Sequence, residues 1–166
     1  MSKLFIQTIP SYEELRTGIS EISPQADFDS LYTNLLLMKV ANQIETRMEA
    51  VLSEYGLSGG RYTVLLILRK EGTSLTGSEL AQMLGVTQAT ITGIVKYFES
   101  QELTQRLNHE RDGRAYRIAL SAKGRELVDR IFPEWYACIQ DIWGPFPAEK
   151  KETVSRLMSE LMGLDH

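Results

Sequence analysis

The chain has 166 residues, 43% of them apolar, which is length and core material for one domain with appendages. One cysteine, Cys138, and two histidines, His109 and His166, exclude an intrachain disulfide and leave too few ligands for a multi-cysteine or histidine-rich metal site. The net charge of −4 is that of a mildly acidic protein, and it gives no reason to expect a uniform polyanion-binding surface.

No secretory pattern opens the sequence, because the apolar run in "MSKLFIQTIPSYEE" is broken by Gln7, Thr8 and Pro10. "LLLM" and "VLLIL" are far too short to cross a bilayer, so a soluble, cytoplasmic protein with no membrane contact is expected. Residues 1–26 read as an extension in which Ser11 and Glu14 form a capping box and start a short helix after Pro10. Pro24 then breaks the pattern. From about Asp27 to Tyr55, Phe28, Leu31, Leu35, Met38, Ile44, Met48 and Val51 recur at helical spacings, and Gly56 closes the run. This stripe is longer than a small core needs, so part of it is expected to pack on another subunit.

A turn and a short apolar helix follow, ending near Gly72. In "TGSELAQMLGV", Thr76 and Glu79 form a second capping box, Leu80, Met83 and Leu84 give the buried face, and Gly85 stops the helix. The next helix is N-capped by Thr87 and buries Ile91, Ile94, Val95 and Phe98. Its opposite side carries Ala89, Thr92, Gly93 and Lys96. Gly and Thr are poor helix formers, so something other than helix stability favours small residues there. Two strands are expected at Thr104–Asn108 and Ala115–Ser121, joined by "HERDGR", whose Asp-Gly is a hairpin-turn signal. Ser121 caps a helix with Leu127, Ile131, Trp135, Ile139 and Ile142 on one side. "WGPFP" ends it, and a last helix carries Val154, Leu157, Met158, Leu161 and Met162.

Charge is unevenly spread. Residues 87–125 hold seven basic and four acidic side chains, a local +3 within the acidic chain. Helix, turn, helix and a basic hairpin, in that order, make a winged helix-turn-helix in a mainly α chain. A small-faced helix fits the major groove, its N-terminus favours phosphate, and an arginine-bearing hairpin tip suits the minor groove.

"LSGGRYTVLLIL", "SELAQMLGVTQATITGIVKYFESQELTQR" and the wing signature "RDGRAYRIALSAKG" resemble the MarR family of bacterial transcriptional regulators. The wing signature is D-x-R, an apolar strand, then L-[ST]-x-x-G. The resemblance implies winged helix-turn-helix DNA binding over 57–120 and a homodimer formed by helices in 27–56 and 121–166. Each subunit would read half of a pseudo-palindromic operator in double-stranded DNA. Residues Thr87, Gln88, Ala89, Thr90, Thr92, Gly93 and Lys96 of the recognition helix are the expected contacts. In the wing they are His109, Arg111, Asp112, Arg114 and Arg117, with Arg114 in the minor groove and Asp112 holding it. His109, Arg111 and Arg117 are equally well explained as solvated charge. Two positions depart from the pattern: Gly93, where many relatives have Arg, and Glu102, where many have Gly.

Family members are commonly repressors released by small, often aromatic or phenolic, ligands. Met38, Arg61, Tyr62, Trp135 and Tyr136 are candidates for such a pocket, with Arg61 suited to a carboxylate, although aromatic residues at helical spacing usually belong to a core. Cys138 is a redox-sensor candidate, against its commoner role as a small buried hydrophobe. An enzyme is not expected: "GLSGG" lacks the Lys-Ser/Thr of a phosphate loop, no G-x-S-x-G elbow is present, and no cofactor is implied. A rival reading is a winged-helix module that binds protein, but such modules usually lose the basic wing.

Overall fold

The computed structural model describes residues 8–108 and 116–164. The chain divides into two compact units, Met1–Met48 and Glu49–His166. In the first, α1 (Tyr12–Ser20) starts at the expected capping box, where the Ser11 N–H donates to Glu14 Oε2 at 2.8 Å and the Glu14 N–H donates to Ser11 Oγ at 3.3 Å. The Ser11 N–H and the Ser11 hydroxyl, which donates to the same Oε2 at 2.9 Å, hold the Glu14 carboxyl below its ordinary range. Tyr12 is edge-on to Tyr32, with ring centroids 5.5 Å apart, and its hydroxyl donates to Asp29 Oδ1 at 3.0 Å. α2 (Phe28–Ser53) carries the chain from one unit into the next, and Leu52 is its single fully buried residue.

The second unit has the core. α3 (Gly59–Glu71) is capped by Ser58 and ends on Gly72 in the left-handed region, φ 65°. It buries Tyr62, Val64, Leu65 and Leu68. α4 (Gly77–Leu84) starts at the Thr76/Glu79 capping box, and α5 (Gln88–Ser100) at Thr87. α6 (Ala122–Trp143) is capped by Ser121, and α7 (Ala148–Met162) follows. Ile91, Val95 and Phe98 of α5 join the α3 residues, Leu80 of α4, and Val128 and Ile131 of α6 in one cluster.

Three strands form an antiparallel sheet of order β1-β3-β2: β1 (Leu75–Thr76), β2 (Thr104–Asn108) and β3 (Tyr116–Leu120). β2 and β3 fall where the alternation placed them, with Ile118 and Leu120 buried. β1 was not expected, since two residues are too short to show a period; it is recruited by pairing Leu75 with Ile118 and Thr76 with Arg117. One further difference concerns packing. Met83 is 50% exposed, and Ala81 takes the buried place beside Leu80. α7 buries none of its residues within the chain.

The glycine ending the L-S-A-K-G motif has a steric explanation. A Cβ on Gly124 would sit 2.0 Å from the Leu103 carbonyl oxygen. The first turn of α6 is thereby pressed against the α5–β2 corner, where Ser121 Oγ also donates to the Glu102 carbonyl at 2.6 Å.

Candidate nucleic-acid interface

The turn between α4 and α5 needs left-handed backbone at Gly85, φ 63°, and then the Thr87 cap. Thr87 Oγ1 accepts from the Thr90 N–H at 3.2 Å and lies 3.0 Å from Thr90 Oγ1. Thr92 Oγ1 donates to the Gln88 carbonyl at 2.8 Å. Thr87, Gln88, Ala89, Thr90, Thr92, Gly93 and Lys96 are all exposed, while Ile91, Val95 and Phe98 are buried. The expected division of α5 into an apolar and a small polar side therefore holds. A Cβ at Gly93 would meet nothing within 4 Å, so sterics inside the chain do not demand glycine there. Its presence costs the helix about 1 kcal/mol relative to Ala.

α5 ends without the glycine expected there from the resemblance. Glu102 itself takes φ 60°, and the Glu102 N–H donates to the Glu99 carbonyl at 3.0 Å. The Leu103 N–H reaches back to the Phe98 carbonyl at 2.8 Å. This is a Schellman-type closure built on a glutamate.

In the wing, β2 and β3 pair from Thr104↔Leu120 to Asn108↔Tyr116. His109, Arg111, Asp112 and Arg114 lie outside the described residues. Arg117, the remaining wing candidate, is engaged within the chain: Nε donates to the Ser74 carbonyl at 3.1 Å and to Ser74 Oγ at 3.0 Å, and Nη2 donates to the same carbonyl and lies 3.5 Å from Glu79 Oε2. Arg106, which sequence reasoning did not single out, pairs side-on with Glu99 of α5, with Nη2 to Oε2 at 2.9 Å, and lies 4.0 Å over the Tyr116 ring. Lys123 is 3.3 Å from Glu102 Oε2. Of these acidic partners, Glu99 and Glu102 are already counted in the local +3, and Glu79, beside Arg117, comes from outside the segment. No periodicity in the sequence links these partners.

α5 is also fastened at its inner end. The Tyr97 hydroxyl donates to the Gly56 carbonyl at 3.0 Å, and the Arg61 guanidinium lies 3.8 Å over the Tyr97 ring. Arg61, expected to await a carboxylate, has this aromatic partner.

Tyr62 and Trp135 touch, with centroids 5.7 Å apart. Tyr62 is 1% exposed, and its hydroxyl has no hydrogen-bond partner. Burial, reinforced by the Asp129 charge, pushes its pKa up to about 12, so the phenol stays protonated and is a donor. A cleft of about 330 Å³ opens between Leu66 and Arg69 of α3 and Asp129 and Phe132 of α6. The Arg69 hydrogen bonds hold the Asp129 carboxyl below its usual range. Tyr136 stacks on Phe132 at 5.9 Å and borders a separate cavity of about 630 Å³ between α6 and α7. Met38 lies half exposed on α2, in the first unit, and Cys138 is half-buried on α6. Among the described residues there is no cluster of three His, Cys, Asp or Glu fit for a metal, and no helix long and apolar enough to cross a membrane.

Residues 55–115 match the sequence model of the MarR family. The chain is similar to the HTH-type transcriptional repressor YetL of Bacillus subtilis, 26% identical over 157 residues that cover 94% of this chain and 93% of that protein. In fold it is similar to MepR of S. aureus in a complex with DNA, with a TM-score of 0.70 at 18% identity, covering 78% of this chain and 96% of that one. It is likewise similar to CouR of Rhodococcus jostii RHA1 bound to p-coumaroyl-CoA, with a TM-score of 0.65 at 20% identity, covering 78% and 90%.

Proposed function

Residues 55–115 match the sequence model of the MarR family, and from that premise we propose that the chain is a sequence-specific DNA-binding transcriptional regulator of that family. It acts as a homodimer and a repressor, and a small aromatic or phenolic ligand releases it. One observation carries the reading. α5 is buried along Ile91, Val95 and Phe98, and its exposed side is trimmed to Ala89, Thr92, Gly93 and Lys96 at a cost in helix stability. A narrow polar helix side of this kind fits the major groove. Residues 57–120 form the DNA-binding region, with Gln88, Thr90 and Thr92 facing bases or phosphates, Lys96 facing phosphate, and Arg114 in the minor groove steadied by Asp112. Residues 27–56 and 121–166 form the dimer, which supplies cover for exposed Leu157, Leu161 and Met162 of α7. The similarity to YetL, named a repressor, supports the repressor reading. The similarity in fold to CouR, whose structure holds p-coumaroyl-CoA, supports the ligand reading.

The test is a titration with a duplex from the DNA upstream of the chain's own coding sequence. Affinity is expected to fall linearly on a log–log plot as salt rises, because counterions are released. Arg114→Ala is expected to weaken binding by about tenfold to a hundredfold without changing fold or subunit number. No binding at low salt, or an Arg114→Ala affinity equal to that of the parent chain, sinks the proposal.

A further inference from the structure

We infer that Arg106 is a positioning residue for DNA binding: it sets the recognition helix and the wing strands at a fixed angle and does not itself touch the duplex. The inference rests on the DNA-binding reading above. Arg106 stands on β2, yet its guanidinium engages two other elements. Nε and Nη2 grip the two oxygens of Glu99 in the last turn of α5, and the guanidinium carbon Cζ lies over the Tyr116 ring of β3, 4.0 Å from its centroid. A planar fork that is both side-on to a carboxylate and stacked on a ring has little freedom left.

The second observation is on the reverse side of the same strands. Arg106 pairs across the ladder with Ile118, and Leu107 with Arg117. Residues opposite one another share a side of the sheet and successive residues alternate, so Arg106 and Arg117 project from opposite sides. Arg117 ties β3 to Ser74 and to Glu79, whose carboxylate also accepts from the Thr76 N–H at 2.7 Å in the cap of α4. One arginine therefore braces the wing to α5 and the other to the start of α4. Asn108↔Tyr116 is the last pair of the ladder among the described residues, so these braces act on the strands close to the point where the description stops. The side chains of Arg106 and Glu99 are 48% and 27% exposed, and ion pairs at such exposure add little stability, which leaves orientation as the role.

A phosphate contact at Arg106 makes the opposite demands, and two variants separate the readings. The duplex is the sequence recovered from a random pool by the full wild-type chain, and affinity is expressed per folded molecule, with folding followed by thermal melting. Glu99→Gln removes a negative charge near the DNA. If Arg106 is positioned by Glu99, binding weakens by about tenfold, the scale of coupling between contacting residues. Arg106→Lys keeps the charge and loses the fork and the stack, and it is expected to weaken binding to the same degree. Should Glu99→Gln fail to fold, Tyr116→Leu removes the stacking platform and carries the same expectation. Tighter binding by Glu99→Gln, or wild-type binding by Arg106→Lys, overturns the inference, as does an affinity per folded molecule that none of these changes moves. A wild-type chain that recovers no duplex from the pool is a different failure and removes the DNA-binding reading itself.

Discussion

The hydroxyl of Tyr62 has no hydrogen-bond partner although the residue is almost wholly enclosed. A buried polar atom left in this state costs about 1–3 kcal/mol. Tyr62→Phe keeps the ring against Trp135 and deletes only the unpaired oxygen. It is expected to raise stability by about 1 kcal/mol, read as a higher denaturant midpoint at unchanged slope. A loss of that size would mean that the hydroxyl is satisfied in solution. Single side chains whose partners are local were readable from the sequence. Ser11 with Glu14, Thr76 with Glu79 and the Thr87 cap each close a bond within three residues, so their spacing alone announces them. Arg106 with Glu99 and Arg117 with Ser74 were not readable, because their meeting depends on a chain reversal and on sheet pairing.

Helix α5 ends on a residue whose backbone suits glycine. Glu102 at φ 60° carries the left-handed strain of an L side chain, and its pair with Lys123 is too exposed to offset it. Glu102→Gly is expected to stabilise the chain by about 0.5–1 kcal/mol, the greater freedom of glycine in the unfolded state taking back part of the relief. A chemical-denaturation curve checks this, and a fall in the midpoint would show that the glutamate is better placed than its φ suggests. The helices themselves were legible to within a few residues, since α2, α3, α5 and α6 each combine a periodic apolar stripe with a stop or start signal. β1 was not, because its two residues owe their strand conformation to β3. Met83 was misjudged for a related reason: one helical period allowed it or Ala81 on the inner side, and packing against the rest of the unit selected the smaller residue.

Across the chain, apolar surface is left uncovered where a homodimer would need it. Leu161 and Met162 at the end of α7 are 70% and 64% exposed. If they meet a second copy, Leu161→Glu combined with Met162→Glu places charge in an apolar contact and is expected to weaken dimerisation by at least about a hundredfold. Analytical ultracentrifugation checks this, and a double variant that stays dimeric at low micromolar concentration excludes α7 from the contact. The sequence pointed to a subunit contact from its residues only through the long stripe of Asp27 to Tyr55, and to the C-terminal helices only through the family resemblance. The wing tip, where the sequence concentrates Arg111 and Arg114, lies outside the described residues.

Gly124 bears on how such a chain can diverge. With the Leu103 oxygen 2.0 Å from where a methyl group would stand, the joint between sheet and α6 has no slack, and even alanine would prise it apart. A substitution at this seam must therefore be answered by movement of backbone, whereas at Gly93, where a side chain would meet nothing, it need not be.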